Sequence, residues 1–125
     1  MKSASQLVSE ANQQVEALAA EQAIKLMDDG NVVFVDLRER AEVEKGSLPG
    51  EVHVPRGLLE FQADAESPSH NPKLDASKKL VLYCGSGGRS ALGAKALKDM
   101  GFTNIAHVAG GFPALQKTLG GNRSS

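Results

Sequence analysis

The sequence predicts an α/β fold: an open, mostly parallel sheet with helices on both faces. Three observations carry that expectation. Two apolar runs, residues 32–35 and 80–83, lack the polar alternation of a half-exposed strand, as strands covered on both faces do. Helix-forming stretches alternate with strand-like ones along the chain. The second run leads through Cys84 into a glycine-rich loop and on into a stretch dominated by Ala, Leu and Lys, which is the strand–loop–helix order of a parallel crossover unit.

Taken in order, residues 3–18 read as an amphipathic helix, with Leu7, Ala11, Val15 and Leu18 at helical spacing among Gln, Asn and Glu. A second helix is expected over residues 21–29, turning Ala23, Ile24 and Met27 inward and stopped by Asp28, Asp29, Gly30 and Asn31. The strand at Val32 to Val35 closes on Asp36, Leu37 and Arg38. A short helix over 39–45 ends at Gly46, and residues 47–50 form a turn. Val52, His53 and Val54 make a short strand that Pro55 terminates. A helical turn is expected near 58–61, then a polar surface loop to about residue 73 carrying Pro68 and Pro72. After the strand at Leu80 and the cysteine loop, a helix over 90–100 ends at Gly101. Residues 104–108 form the last strand, and Gly110 and Gly111 turn it into a helix over 113–119 with Pro113 in its first turn. The expected organisation is an N-terminal helical extension (1–19), one domain (20–119) and a flexible tail (120–125).

Composition narrows the functional classes. A chain of 125 residues, 41% hydrophobic and 23% charged, suits one globular domain with its own core. The net charge of −1 and scattered basic residues argue against nucleic acid as a partner, and the lack of tryptophan weakens a base-stacking surface. One cysteine allows neither an internal disulfide nor a multi-cysteine zinc site. The three histidines lie far apart, without metal-ligand spacing, so no metal and no cofactor are expected. No apolar run is long enough to span a bilayer, and the first residues lack the apolar core of a secretion signal. A cytoplasmic protein with no membrane partner is the expectation.

The chemistry is expected at Cys84. A lone cysteine often packs as a small hydrophobe. Here it opens a glycine-rich turn, precedes a helix N-terminus and has the permanent cation Arg89 at the loop's far end. Each feature favours the thiolate, the reactive form. Backbone N–H groups in such a loop converge on a small oxyanion or on sulfur itself. Two reactions fit: attack on the outer sulfur of a sulfur-bearing anion to give a persulfide, or attack on phosphorus to give a phosphocysteine. Phosphate binding without chemistry is a third. The nucleotide spacings G-x-x-x-x-G-K-[ST] and G-x-G-x-x-G are not matched.

Several motifs in one order resemble the rhodanese-like family over roughly residues 20–119. Asp36, Leu37 and Arg38, with Glu42 beyond, resemble its D-x-R…E segment. Gly46, Ser47, Leu48, Pro49 and Gly50 resemble its G-H-I-P-G-A turn. Residues 81–91 resemble its active-site strand and loop, and Gly110 to Leu115 its G-G-x-x-A-W close. The resemblance implies a single-domain thiosulfate sulfurtransferase with catalytic Cys84 and a substrate cradle of Gly85, Ser86, Gly87, Gly88, Arg89 and Ser90. It implies a small sulfur-bearing anion as donor, a thiol or cyanide as acceptor, and a protein sulfur acceptor as a further partner. The loop from Cys84 to Arg89 is six residues long, as in sulfurtransferase members; related cysteine phosphatases carry one more, making a wider cup. A sulfur-carrier module acting through a protein partner is the alternative, and a cysteine phosphatase the third reading. Departures include Ser47 for histidine, Glu51 for a small residue, Leu115 for tryptophan, and Gly85 where some members place arginine.

Asp36 and Arg38 are expected to tie loops together at a strand end. His53 and His107 are expected as hydrogen-bonded, half-buried side chains. His70 is the histidine able to swing over the pocket if residues 58–73 act as a lid. Arg56 is either a solvated cation or part of the pocket mouth.

Overall fold

A computed structural model describes residues 1–123. The element order is α1 (Ala4–Asn12), β1 (Glu16–Leu18), α2 (Ala20–Ile24), β2 (Val32–Asp36), α3 (Arg40–Val43), β3 (Val52–His53), a 3-10 turn (Arg56–Leu58), α4 (Leu59–Ala63), β4 (Lys79–Tyr83), α5 (Gly88–Asp99), β5 (Ile105–Val108) and α6 (Gly111–Arg123). The five strands form one sheet in the order β1-β5-β4-β2-β3, with every pairing parallel. The predicted open parallel sheet is therefore what the chain builds.

Both faces of the sheet are covered. Val35, Leu80, Leu82 and Cys84 pack with Leu59, Ala63, Ala94 and Leu97 of α4 and α5. Phe34, Val81, Tyr83, Ala106 and Val108 pack with Ala20, Ala23 and Leu115 of α2 and α6. The unbroken apolar runs of β2 and β4 follow from this two-sided burial.

Some boundaries differ from expectation. The helix expected over 3–18 stops at Asn12, and Glu16–Leu18 is instead an edge strand paired with β5. Ser3 caps α1, its hydroxyl accepting from Gln6 N at 3.1 Å while Ser3 N donates to Gln6 Oε1 at 2.9 Å. The second helix ends at Ile24 rather than near Asp29, and turns fill the gap. The final helix runs on to Arg123, beyond Leu119; of the expected tail, Ser124 and Ser125 lie outside the described residues.

Chain direction reverses between β2 and β4. The chain leaves β2 toward β3 on one side, and leaves β4 toward β5 on the other. Ligands of open α/β sheets bind beyond the carboxyl ends of strands at such a point. Asp36 ends β2 there, and Cys84 follows β4.

A buried ion pair organises that edge. Asp36 is 0% exposed and Arg38 5%. Arg38 Nε donates to Asp36 Oδ1 at 3.0 Å and Nη2 to Oδ2 at 2.9 Å, while Nη2 also reaches Gly46 O at 2.7 Å. The guanidinium lies 4.0 Å from the centre of the Phe112 ring. His53 Nε2 sits 2.7 Å from Arg38 O. Glu51 joins from the turn, accepting from Leu48 N at 3.0 Å. Burial, and then the neighbouring Asp36 carboxylate, push the Glu51 carboxyl up to about 7, and its buried Oε2 has no hydrogen-bond partner among the described residues. Burial works against the ionised Asp36 as well, yet its hydrogen bonds to Arg38 hold it below its ordinary value, so of the two carboxyls it is Glu51 that holds a proton.

Glu51 ionises near 4.5 in the absence of the fold and near 7 within it, so the native state binds more protons across that window and loses stability as pH rises through it. Glu51→Gln removes this loss. Urea denaturation at about pH 5 and about pH 8 is expected to show the variant gaining on the native chain by on the order of 1–3 kcal/mol, with partial exposure favouring the lower end. A stability difference that does not change with pH would contradict the raised Glu51 carboxyl.

Candidate active site

The alternation of β4 sends Leu80, Leu82 and Cys84 to the α5 face and Val81 and Tyr83 to the other. The chain then curls through Gly85 to Gly87 into α5. Gly87 caps that helix at φ +98, and a Cβ there would collide with the Ala109 carbonyl oxygen. Gly111, at φ +69, passes so close that an added Cβ would lie 2.6 Å from Gly85 O. Phe112 N donates to Cys84 O at 2.7 Å. The turn after β5 is therefore packed directly on the cysteine loop, and both glycines are needed for the approach.

The Cys84 side chain is 0% exposed. Its sulfur accepts from Gly87 N at 3.1 Å and from Ser90 N at 3.3 Å, with Ser90 Oγ at 3.6 Å. Burial is the largest single influence on the thiol and opposes ionisation. Hydrogen bonds from the Ser90 hydroxyl and N–H, and from the Ser86 and Gly87 N–H groups, outweigh it and hold the thiol below its ordinary value of 9.0. Ser90 Oγ lies 2.9 Å from His107 Nδ1, and His107 Nε2 lies 2.7 Å from Asn12 Oδ1.

The six loop residues play different parts in this geometry. Gly87 and Ser90 turn their N–H groups on the sulfur. Gly85 backs onto Gly111, Ser86 forms an exposed rim, and Gly88 lies beneath Val8 of α1. Arg89 points at Glu42, with Nη1 to Oε1 at 2.6 Å and Nη2 to Oε2 at 2.9 Å. That pairing holds the Glu42 carboxyl down to about 2 and raises the guanidinium further above its usual range. A cleft of ≈ 330 Å³ lined by Arg38, Glu42, Lys45, Gly85, Phe112 and Pro113 opens beside the loop.

Other candidates lie elsewhere or are engaged. Arg56 pairs with Glu60 at 2.7 Å. His70 Nδ1 lies 3.1 Å from Gln62 O, and His70 lines a concavity with Met100 and Phe102 beyond the far end of α5. That end is roughly 18 Å from the loop by helical rise, so His70 does not cover Cys84. His107 is hydrogen-bonded, as expected, but nearly fully buried rather than half-buried, and one of its partners is Ser90 of the cysteine loop. Sequence reasoning did not connect Asn12 or His107 to Cys84. It noted Glu42 only as part of a motif, although that motif was the available signal for its bond to Arg89. Among the described residues, no group of three His, Cys, Asp or Glu side chains is arranged to hold a metal.

Comparison with known proteins agrees with this architecture. The family model for the Rhodanese-like domain matches residues 19–118. "Putative sulfur carrier protein YrkF" of Bacillus subtilis (strain 168) is 32% identical over 87 residues, spanning 70% of this chain and 43% of that protein. The tRNA uridine(34) hydroxylase of Sodalis glossinidius (strain morsitans) is 33% identical over 96 residues, 75% of this chain and 26% of that protein. The chain thus spans less than half the length of these curated relatives. Among solved structures, "Protein of Unknown Function RPA3614, Possible Tyrosine Phosphatase" from Rhodopseudomonas palustris CGA009 superposes with TM-score 0.90 at 40% identity, covering 94% of this chain and 92% of that one. The human single-domain sulfurtransferase TSTD1 shares the fold, with TM-score 0.65 at 24% identity over 82% of this chain and 95% of that one. With a family model covering most of its length and the same five-stranded parallel architecture, this chain belongs to the Rhodanese-like domain family.

Proposed function

We propose that the protein is a sulfurtransferase that carries a sulfane sulfur on Cys84. The observation supporting this most directly is the short loop that aims two backbone N–H groups at one buried sulfur. In the first half-reaction the Cys84 thiolate attacks the outer sulfur of thiosulfate. The new S–S bond forms as the old one breaks, and sulfite leaves with the bonding pair. The same N–H groups, with those of the rim, cradle the persulfide. A thiolate or cyanide then takes the terminal sulfur and returns the electron pair to Cys84. Cys84 is 0% exposed, so a donor must enter the narrow loop to meet its sulfur, which favours small anions. Cys84 is the single cysteine of these 125 residues, so none of them supplies a resolving thiol. The relative named as a sulfur carrier supports a protein acceptor. We place the reaction in the cytoplasm, where an unpaired thiol stays reduced; among the described residues no helix is long and apolar enough to cross a membrane.

The name of the RPA3614 protein raises the phosphatase reading. The six-residue loop argues against it, because a tetrahedral phosphate needs a wider ring of donors than a terminal sulfur. Release of phosphate from an aryl phosphate, dependent on Cys84, would reverse this preference.

Intact mass after brief exposure to thiosulfate is expected to show one added sulfur atom on the native chain, absent in Cys84→Ser and removed by cyanide. A native chain that stays unmodified while its thiol remains alkylatable would exclude thiosulfate as donor. A persulfide that only a protein partner discharges would instead identify a carrier.

Glu42 neutralises much of the charge that Arg89 would offer an anion. Glu42→Gln is therefore expected to lower the KM for thiosulfate roughly 3–10-fold at low salt, and Arg89→Gln to raise it by a similar factor, both effects shrinking as salt screens the site. Unchanged KM values in both variants would remove Arg89 from donor binding.

A further inference from the structure

A thiol buried away from water needs somewhere to send its proton. The N–H groups around Cys84 stabilise a thiolate but accept nothing, and Arg89 is a permanent cation already bound to Glu42. One unprotonated base is linked to the sulfur by hydrogen-bonding groups. We propose that His107, oriented by Asn12 from the N-terminal helix, takes the Cys84 proton through the Ser90 hydroxyl. This deepens the reading of Cys84 as a nucleophile and rests on it.

The geometry assigns each proton. Asn12 Oδ1 can only accept, so His107 Nε2 carries a hydrogen and Nδ1 presents its lone pair. Ser90 Oγ lies 2.9 Å from Nδ1 and 3.6 Å from Cys84 Sγ. The Ser90 hydroxyl also lies 3.2 Å from Gly87 O; with its one hydrogen given to the nearer acceptor, Nδ1, Ser90 offers a lone pair to the thiol S–H. In the transfer the S–H bond breaks and that hydrogen binds Ser90 Oγ. The hydrogen that Ser90 held passes to Nδ1. The products are a thiolate and an imidazolium, with the Ser90 hydroxyl now donating to sulfur. No net charge enters or leaves, and the reverse path restores the thiol.

The surroundings suit this role. Strand register places His107 beside Leu82 of β4 and Ala17 of β1, and its ring nitrogens meet Ser90 of α5 and Asn12 of α1. Among the described residues no charged side chain is hydrogen-bonded to it; the charged pair near the sulfur is Arg89 with Glu42. Burial alone pushes the imidazole below its usual range, so it rests neutral and able to accept. His107 does not touch the reacting sulfur and acts through Ser90.

Two coupled titrations test the relay without any sulfur donor, so their outcome is independent of the persulfide assay. Nitrogen NMR of His107 in the reduced native chain is expected to show the imidazolium persisting about one pH unit or more higher than in Cys84→Ser, because the thiolate and the imidazolium stabilise each other. Ultraviolet titration of the thiolate is expected to move up by about one unit in His107→Gln, and down by about half a unit or more in Asn12→Asp, whose carboxylate favours the imidazolium. Asn12 is exposed, so that second variant preserves the core even where His107→Gln does not fold. Identical His107 titrations in the native chain and Cys84→Ser, with the thiol midpoint unmoved by Asn12→Asp, would overturn the proposal. Persulfide formation with no such coupling would leave the sulfurtransferase standing and the relay refuted.

Discussion

A sulfur atom shut away from water is tolerable as a thiolate only where the protein supplies the hydrogen bonds that water would have given. At Cys84 the Gly87 and Ser90 N–H groups meet that demand. Their convergence requires the left-handed turn at Gly87. Residue 87 must be glycine there both for its positive φ and because any side chain would strike the Ala109 carbonyl of the chain after β5. Phe112 N then fastens the start of α6 to Cys84 O. The loop, the last turn and the first residues of two helices form one packed unit, and its tolerances come from the needs of a single atom.

The two arginines near the site show how burial decides what a charge can do. Arg38 is almost fully buried, and its fork is consumed by Asp36, Gly46 O and the Phe112 ring. Breaking such a pair leaves an uncompensated buried charge, so its work is to hold three segments together. Arg89 makes an equally short pair with Glu42, but both side chains are about a third exposed. Water and salt compete for that pair, which leaves it free to respond to an anion.

Much of this was legible in the sequence. Unalternating apolar runs at residues 32–35 and 80–83 announced strands buried on both faces, and the glycine-rich turn into an Ala- and Leu-rich stretch announced the loop and helix. The reading failed where two periodicities overlap. Val15 and Leu18 continue a helical spacing from Leu7 and Ala11, yet Glu16–Leu18 pairs with β5. The open edge of that strand offered backbone partners that local propensity could not anticipate. The short strand leaves Glu16 and Ala17 exposed and buries Leu18, a pattern too brief to stand out as alternation.

The chain by itself determined where a thiol would stand relative to a strand end, a flexible turn and a helix start, because those relations are local and carried by residues within a few positions of Cys84. Only tertiary structure decided what surrounds it. Asn12 and His107 are 95 residues apart, and Glu42 and Arg89 are 47 apart. They meet because parallel pairing fixes which side chains share a face: His107 aligns with Leu82, two residues before Cys84 and on its side of the sheet. Such contacts arise from strand register and helix docking, which depend on the whole core rather than on the spacing of any motif.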